Sequence, residues 1–148
     1  MGVSHTTFER LKAAFKGEIV TPTDPNYKEA LTRWAHNAEK PAKVVAFAKD
    51  AEDASIAIRF AVSERLPIAV RGGGHNVSGA SSIKDGLVID RSRHLCGVRV
   101  DPDKKLGYVQ GGALWETVDK TTIQYGLAAV AGTVNHVSIM YPLPEGSS

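Results

Sequence analysis

The chain has 148 residues, 43% hydrophobic and 23% charged, which is the balance of a folded globular domain and excludes a disordered segment. Its 18 basic and 16 acidic residues are mixed along the sequence and leave a formal net charge of +2, so no basic block offers a footprint for nucleic acid. The start runs from Met1-Gly2-Val3-Ser4-His5 straight into Glu9-Arg10-Leu11-Lys12 and no apolar run approaches a membrane span, so no membrane association and a cytoplasmic location are expected.

Residues 7–16 place Phe8, Leu11, Ala14 and Phe15 on one face of a short helix, with Thr6 or Thr7 as its cap. Gly17 to Asn26, with Pro22 and Pro25, reads as a loop, and Tyr27 to Asn37 as helical or irregular. Residues 1–43 thus form a lead-in segment. Val44 to Ala48 is a short apolar run, and Asp50 to Glu64 carries Ala51, Ala54, Ile58 and Ala61 at the spacing of a helix packed on one side. Pro67 to Arg71 is a second apolar run. Strand, helix and strand over this length predict a right-handed crossover between parallel strands.

Gly86 to Asp90, Gly97 to Asp101 and Leu106 to Gln110 read as further strands, the last two as a hairpin across Asp101 to Lys105. Ala113 to Tyr125 reads as a helix carrying Leu114, Val118 and Ile123, closed by Gly126 in the left-handed position. Val137 to Ser148 has two prolines and no periodicity and is expected to be loosely packed. The lone cysteine, Cys96, excludes an internal disulfide and reads as a small buried hydrophobe.

The chemistry gathers at Arg71-Gly72-Gly73-Gly74-His75-Asn76, at the carboxyl end of the second crossover strand, where ligands of open parallel sheets lie. Consecutive glycines let the backbone turn freely and bring amide hydrogens close to an anion, and a pyrophosphate suits such a nest. Asn76, Ser78, Ser81 and Ser82 add neutral donors, and Gly79 keeps a second turn open. The spacing matches neither a phosphate loop for ATP nor a Rossmann turn for NAD. Taken alone, the run is equally compatible with a plain tight turn. His75 is the more informative residue, because an imidazole on a glycine-lined loop has little bulk around it and can act as a nucleophile or donor. His5, His36 and His94 read as solvated or structurally satisfied, and no histidine pair has zinc-ligand spacing, so no metal is expected.

Pro67 to Gly79 resembles the flavin attachment segment of the vanillyl-alcohol oxidase/para-cresol methylhydroxylase superfamily, and more narrowly of the FAD-linked oxidases related to berberine bridge enzyme and 6-hydroxy-D-nicotine oxidase. Pro41 to Val45, Gly86 to Ser92, Val109 to Trp115, Tyr125 to Leu127 and Gly132 to His136 follow in that family's order. The resemblance implies an α+β fold, the FAD-binding PCMH-type domain, with residues 44–136 an incomplete copy and 137–148 an atypical tail. It implies FAD as cofactor, held by Arg71, Gly72, Gly73, Gly74, His75, Asn76, Gly79, Gly132, Thr133 and Val134. His75 would be bonded to the 8α-methyl carbon of the isoalloxazine ring. A second, cysteine link known in some relatives falls at Val134 here, so a single link is expected.

The reaction implied is hydride transfer to flavin from an alcohol, amine or sugar carbon of a small-molecule substrate, with the base in a substrate domain beyond these residues. The chain therefore reads as an N-terminal, truncated part with little turnover alone, and no catalytic acid or base is named. The competing reading is a non-catalytic or interaction module in which the glycine loop is only structural. A flavin subunit of the molybdenum hydroxylase kind is a third, disfavoured by the histidine in the loop.

Overall fold

The computed structural model describes residues 4–139. In chain order it contains α1 (His5–Ala14), β1 (Glu18–Val20), α2 (Tyr27–Leu31), a 3-10 turn (His36–Ala38), β2 (Val44–Phe47), α3 (Ala51–Ser63), β3 (Ile68–Arg71), β4 (Leu87–Asp90), β5 (Val98–Asp101), β6 (Leu106–Val109), α4 (Trp115–Thr122) and a second 3-10 turn (Ile123–Tyr125). The α+β class and the β-α-β unit are as the sequence predicts. Among the described residues no helix is long and apolar enough to cross a membrane.

Four strands form one sheet in the order β1-β2-β4-β3, with β2, β4 and β3 parallel and β1 antiparallel to β2. The crossover from β2 through α3 to β3 therefore skips one position, which β4 fills. Side chains alternate across the sheet. Val44, Ala46, Leu87 and Ile89 pack with Leu11, Phe15, Ala57, Phe60 and Ala61 on the face covered by α1 and α3. Val45, Phe47, Val88 and Ala69 pack with Val20, Ala30 and Ala42 on the other. Covering both faces explains why β2 and the first three residues of β4 are apolar throughout.

Several boundaries differ from expectation. The loop expected over Gly17 to Asn26 contains β1, whose three residues are too few to show a period. α1 begins two residues early, with Ser4 rather than Thr6 or Thr7 at the cap position and no side-chain cap bond. On α3 the buried stripe is Asp53, Ala57, Phe60 and Ala61, whereas Ala51 and Ile58 are exposed. The reason is Asp53, which accepts hydrogen bonds from the amides of Lys16 (2.9 Å) and Lys49 (3.0 Å) and so turns the helix by its polar group.

The β5–β6 hairpin forms as expected and stands as a separate two-stranded sheet. The helix expected over Ala113 to Tyr125 is α4 plus the 3-10 turn. Gly126 closes it in the left-handed conformation, with φ of +66°, while Ile123 is exposed rather than packed. Cys96 is half-buried, its thiol donating to the carbonyl of Arg93 at 3.9 Å, and so is not the enclosed hydrophobe expected. Of the tail expected to be loose, Val137 to Ile139 are packed: the amide of Trp115 donates to Val137, that of Ile139 to Ala113, and Ser138 bridges Leu114. The remainder, 140–148, lies outside the described residues.

Candidate functional site

β3 and β4 end side by side, and their last residues, Arg71 and Asp90, are register partners. Adjacent partners in a parallel pair project to one face, so Arg71 Nη1 reaches Asp90 Oδ2 at 2.8 Å, with Asp90 fully buried. Asp90 also accepts from the amide and hydroxyl of Ser92. This pair pins the stem of the glycine loop to the middle of the sheet.

Beyond the stem the loop borders a cleft of about 390 Å³ lined by Gly72, Gly73, Gly74, His75, Asn76 and Ser81, with Val70, Ala80, Arg91, Val137 and Ser138 completing it. Each glycine has a distinct reason. A Cβ on Gly72 would lie 2.5 Å from Ser138 Oγ, one on Gly73 3.0 Å from the Ser138 nitrogen, and Gly74 takes a φ of +74° that side chains disfavour. Two of the three are thus crowded by the close approach of Ser138. Asn76 Oδ1 accepts from Ser78 Oγ and from the amide of Ala80, side-chain bonds that shape the loop. Gly79 has φ of +79°, and its carbonyl accepts from Lys40 Nζ.

The lead-in segment supplies two residues the sequence did not single out. Arg33 is buried and donates from Nε and Nη2 to the carbonyl of Ser81, and from Nη1 to those of Ala30 and Thr32. Burial, then the neighbouring Arg71 charge, pulls its pKa down to about 10, so it stays charged at neutral pH. Trp34 donates its amide to the carbonyl of Gly74 at 3.2 Å and lays its indole on His75, with ring centroids 5.0 Å apart and 27° between planes. His136 closes the group, 4.8 Å from His75 and 5.0 Å from Trp34. His75 is therefore not the unencumbered imidazole expected. Burial first, and then the proximity of His136, lower its pKa, opposed by a hydrogen bond with the His136 backbone, and this keeps the ring neutral.

Gly132, Thr133 and Val134 are not among the residues lining this cleft. They are exposed, and Gly132 packs against the indole of Trp115 at the start of α4. His5 and His94 are exposed, and His36 stands 3.3 Å from the Glu39 carboxylate. Among the described residues no cluster could hold a metal ion.

The model of a family described as FAD binding domain matches residues 41–140. This chain belongs to that family. The FAD binding domain here is 38% identical over 128 residues to the uncharacterized FAD-linked oxidoreductase YgaK of Bacillus subtilis, covering 86% of this chain and 28% of that protein. Among solved structures, 6-hydroxy-D-nicotine oxidase of Arthrobacter nicotinovorans superposes with a TM-score of 0.82 at 26% identity, over 84% of this chain and 27% of that one. BBE-like 1 of Physcomitrella patens has a TM-score of 0.81 at 18% identity, over 90% and 29% respectively, and shares the fold. The chain spans little more than a quarter of the length of these relatives. FAD is the family's cofactor, and the cleft fits it: buried Ser81 Oγ and Ser82 Oγ have no hydrogen-bond partner among the described residues, and Ser81 lines the cleft beside the glycine backbone.

Arg33 and Trp34 carried no local signal, since both act across the fold on a loop some 40 residues later. A tryptophan set among polar residues was the only hint.

Proposed function

We propose that this chain is the FAD-holding part of an FAD-dependent oxidoreductase, with the pyrophosphate on the loop Gly72 to Asn76 and the flavin bonded to His75. The observation that carries the reading is the glycine-lined cleft with an unpartnered buried hydroxyl, Ser81, on its wall and a neutral imidazole, His75, in its lining. When bound, FAD would supply a two-electron acceptor and an 8α-methyl carbon that can exchange a C–H bond for a bond to a histidine nitrogen, the protons leaving to solvent and the electron pair passing into the flavin ring, which oxygen then reoxidises.

Each residue of the cleft has a part in that reading. The loop amides and the Ser81 hydroxyl donate to the phosphate oxygens. Arg33, Arg71 and Arg91, against the carboxylates of Asp90 and Glu39, leave a positive field around the anion. Neutral His75 offers a ring nitrogen with a free lone pair, which a bond to carbon requires. The Val137 to Ser138 segment closes one side of the loop and limits water there. A small-molecule alcohol, amine or sugar as hydride donor follows from the same resemblance, and no catalytic acid or base is assigned to the described residues.

Colour tests the reading. Protein purified with FAD supplied is expected to show flavin absorbance that stays with the chain after denaturation and gel filtration, and His75→Ala is expected to release all of it on unfolding. A colourless protein whose melting is unmoved by FAD would leave the glycine loop a structural turn.

A further inference from the structure

Trp34 lies ahead of the residues that match the FAD binding domain, and it is anchored to the loop more firmly than a surface tryptophan needs to be. Its neighbour Arg33 is fixed by its guanidinium bonds to Ala30, Thr32 and Ser81, and by its amide, which donates to Glu39 Oε1 at 3.2 Å. Trp34's own amide is bonded to the carbonyl of Gly74, the residue preceding His75. With the backbone held on both sides, the indole covers the His75 ring. Yet Trp34 remains 67% exposed, so it contributes little to the core. Its ring neighbours are the two imidazoles, and the three rings form a triangle with sides of 4.8 to 5.0 Å.

A histidine ring turns broadly about its terminal torsion, and on a glycine loop little else restrains it. A bond from one ring nitrogen to carbon demands that the ring be neutral, present the correct nitrogen and hold one orientation. We infer that Trp34 is a positioning residue for His75: its stacked indole, with His136 closing the third side of the triangle, fixes the orientation of the ring for attachment of the flavin. The contact covers one face of the imidazole, and a ring held in one orientation keeps each nitrogen in its own fixed surroundings, which favours one tautomer. The charged and titratable neighbours are His136 in the triangle and Arg33 and Arg71, whose side chains lie within 3.2 Å of a Cβ built on Gly74.

The purpose of this arrangement rests on the attachment reading above, but its test reads His75 directly. Nitrogen-resolved NMR of the imidazoles in the full chain is expected to show His75 in one dominant tautomer, titrating below its ordinary value of 6.5. In Trp34→Ala the titration moves up towards that value and the tautomers mix, while Trp34→Phe, which keeps a stacking ring, stays near the unaltered chain. With FAD supplied, covalent incorporation by Trp34→Ala is expected to slow roughly ten- to a hundredfold, as misplacement of a reacting atom does, with Trp34→Phe close to normal. A His75 titration and tautomer unchanged in Trp34→Ala overturn the inference, and so does covalent incorporation at the unaltered rate. If the unaltered chain takes up no covalent flavin while Trp34→Ala still moves the titration, the attachment reading falls and the positioning of His75 by Trp34 stands.

Discussion

A single buried carboxylate decides how α3 sits. Asp53 has no exposed surface, and its two oxygens take the amides of Lys16 and Lys49, joining the end of α1 and the end of β2 to the helix. Replacing it with alanine leaves two partly buried amide donors without their carboxylate. Asp53→Ala is expected to cost on the order of 3 kcal/mol, measured by urea unfolding, and a loss below 1 kcal/mol would show that water reaches these amides. His75 gives a second effect at this scale. Its pKa is lowered by burial and by His136, so between that lowered value and 6.5 the unfolded chain binds more protons than the folded one. The stability it contributes is complete above 6.5 and is lost as pH falls through the folded value. The unfolding midpoint should drop across that window, and His75→Gln should flatten the drop; an equal drop in the variant would place its origin elsewhere.

At the scale of elements, the same Asp53 explains what periodicity read wrongly. Ala51, Ala54, Ile58 and Ala61 fit a helical stripe as well as Asp53, Ala57, Phe60 and Ala61 do, and hydropathy ranks an aspartate as surface. Ile58, at 45% exposure, shows which stripe prevails. β2, β4 and the hairpin were legible because their apolar runs are long enough to carry a pattern. β1 was not, because Glu18-Ile19-Val20 is defined by its pairing with β2 rather than by its own sequence. Gly126 was legible for a local reason: the helical run ends where only a residue tolerant of positive φ can reverse the chain. A Cβ there meets nothing within 4 Å, so the penalty for Gly126→Ala is purely conformational, about 1 kcal/mol. Gly126→Asn should recover part of it. Equal melting of the alanine variant and the unaltered chain would mean that the turn relaxes out of the left-handed region.

Across the whole molecule, the site is assembled from segments far apart in sequence: the lead-in with Arg33 and Trp34, the loop from Arg71 to Ser81, and Ser138 from beyond α4. The loop and His75 were visible as a motif; the groups that enclose them depend on the insertion of β4 between β2 and β3 and on the return of the chain to Gly72, which no local pattern records. This arrangement separates the cost of folding from the cost of binding. Ser81 Oγ is buried without a hydrogen-bond partner among the described residues, so it adds no intramolecular hydrogen bond to the stability of the free chain. Ser81→Ala should leave the melting midpoint without FAD unchanged or slightly higher, because an unsatisfied buried hydroxyl has been removed. With FAD the unaltered chain should gain about 1.4 kcal/mol for each tenfold excess over its dissociation constant, and Ser81→Ala should need more FAD for the same gain, by the worth of a hydrogen bond to a charged group, about 1.5–3 kcal/mol. Differential scanning fluorimetry over a range of FAD concentrations reads both. A variant that melts lower without FAD, yet responds to FAD as the unaltered chain does, would make Ser81 a structural residue and move the anion contact elsewhere on the loop.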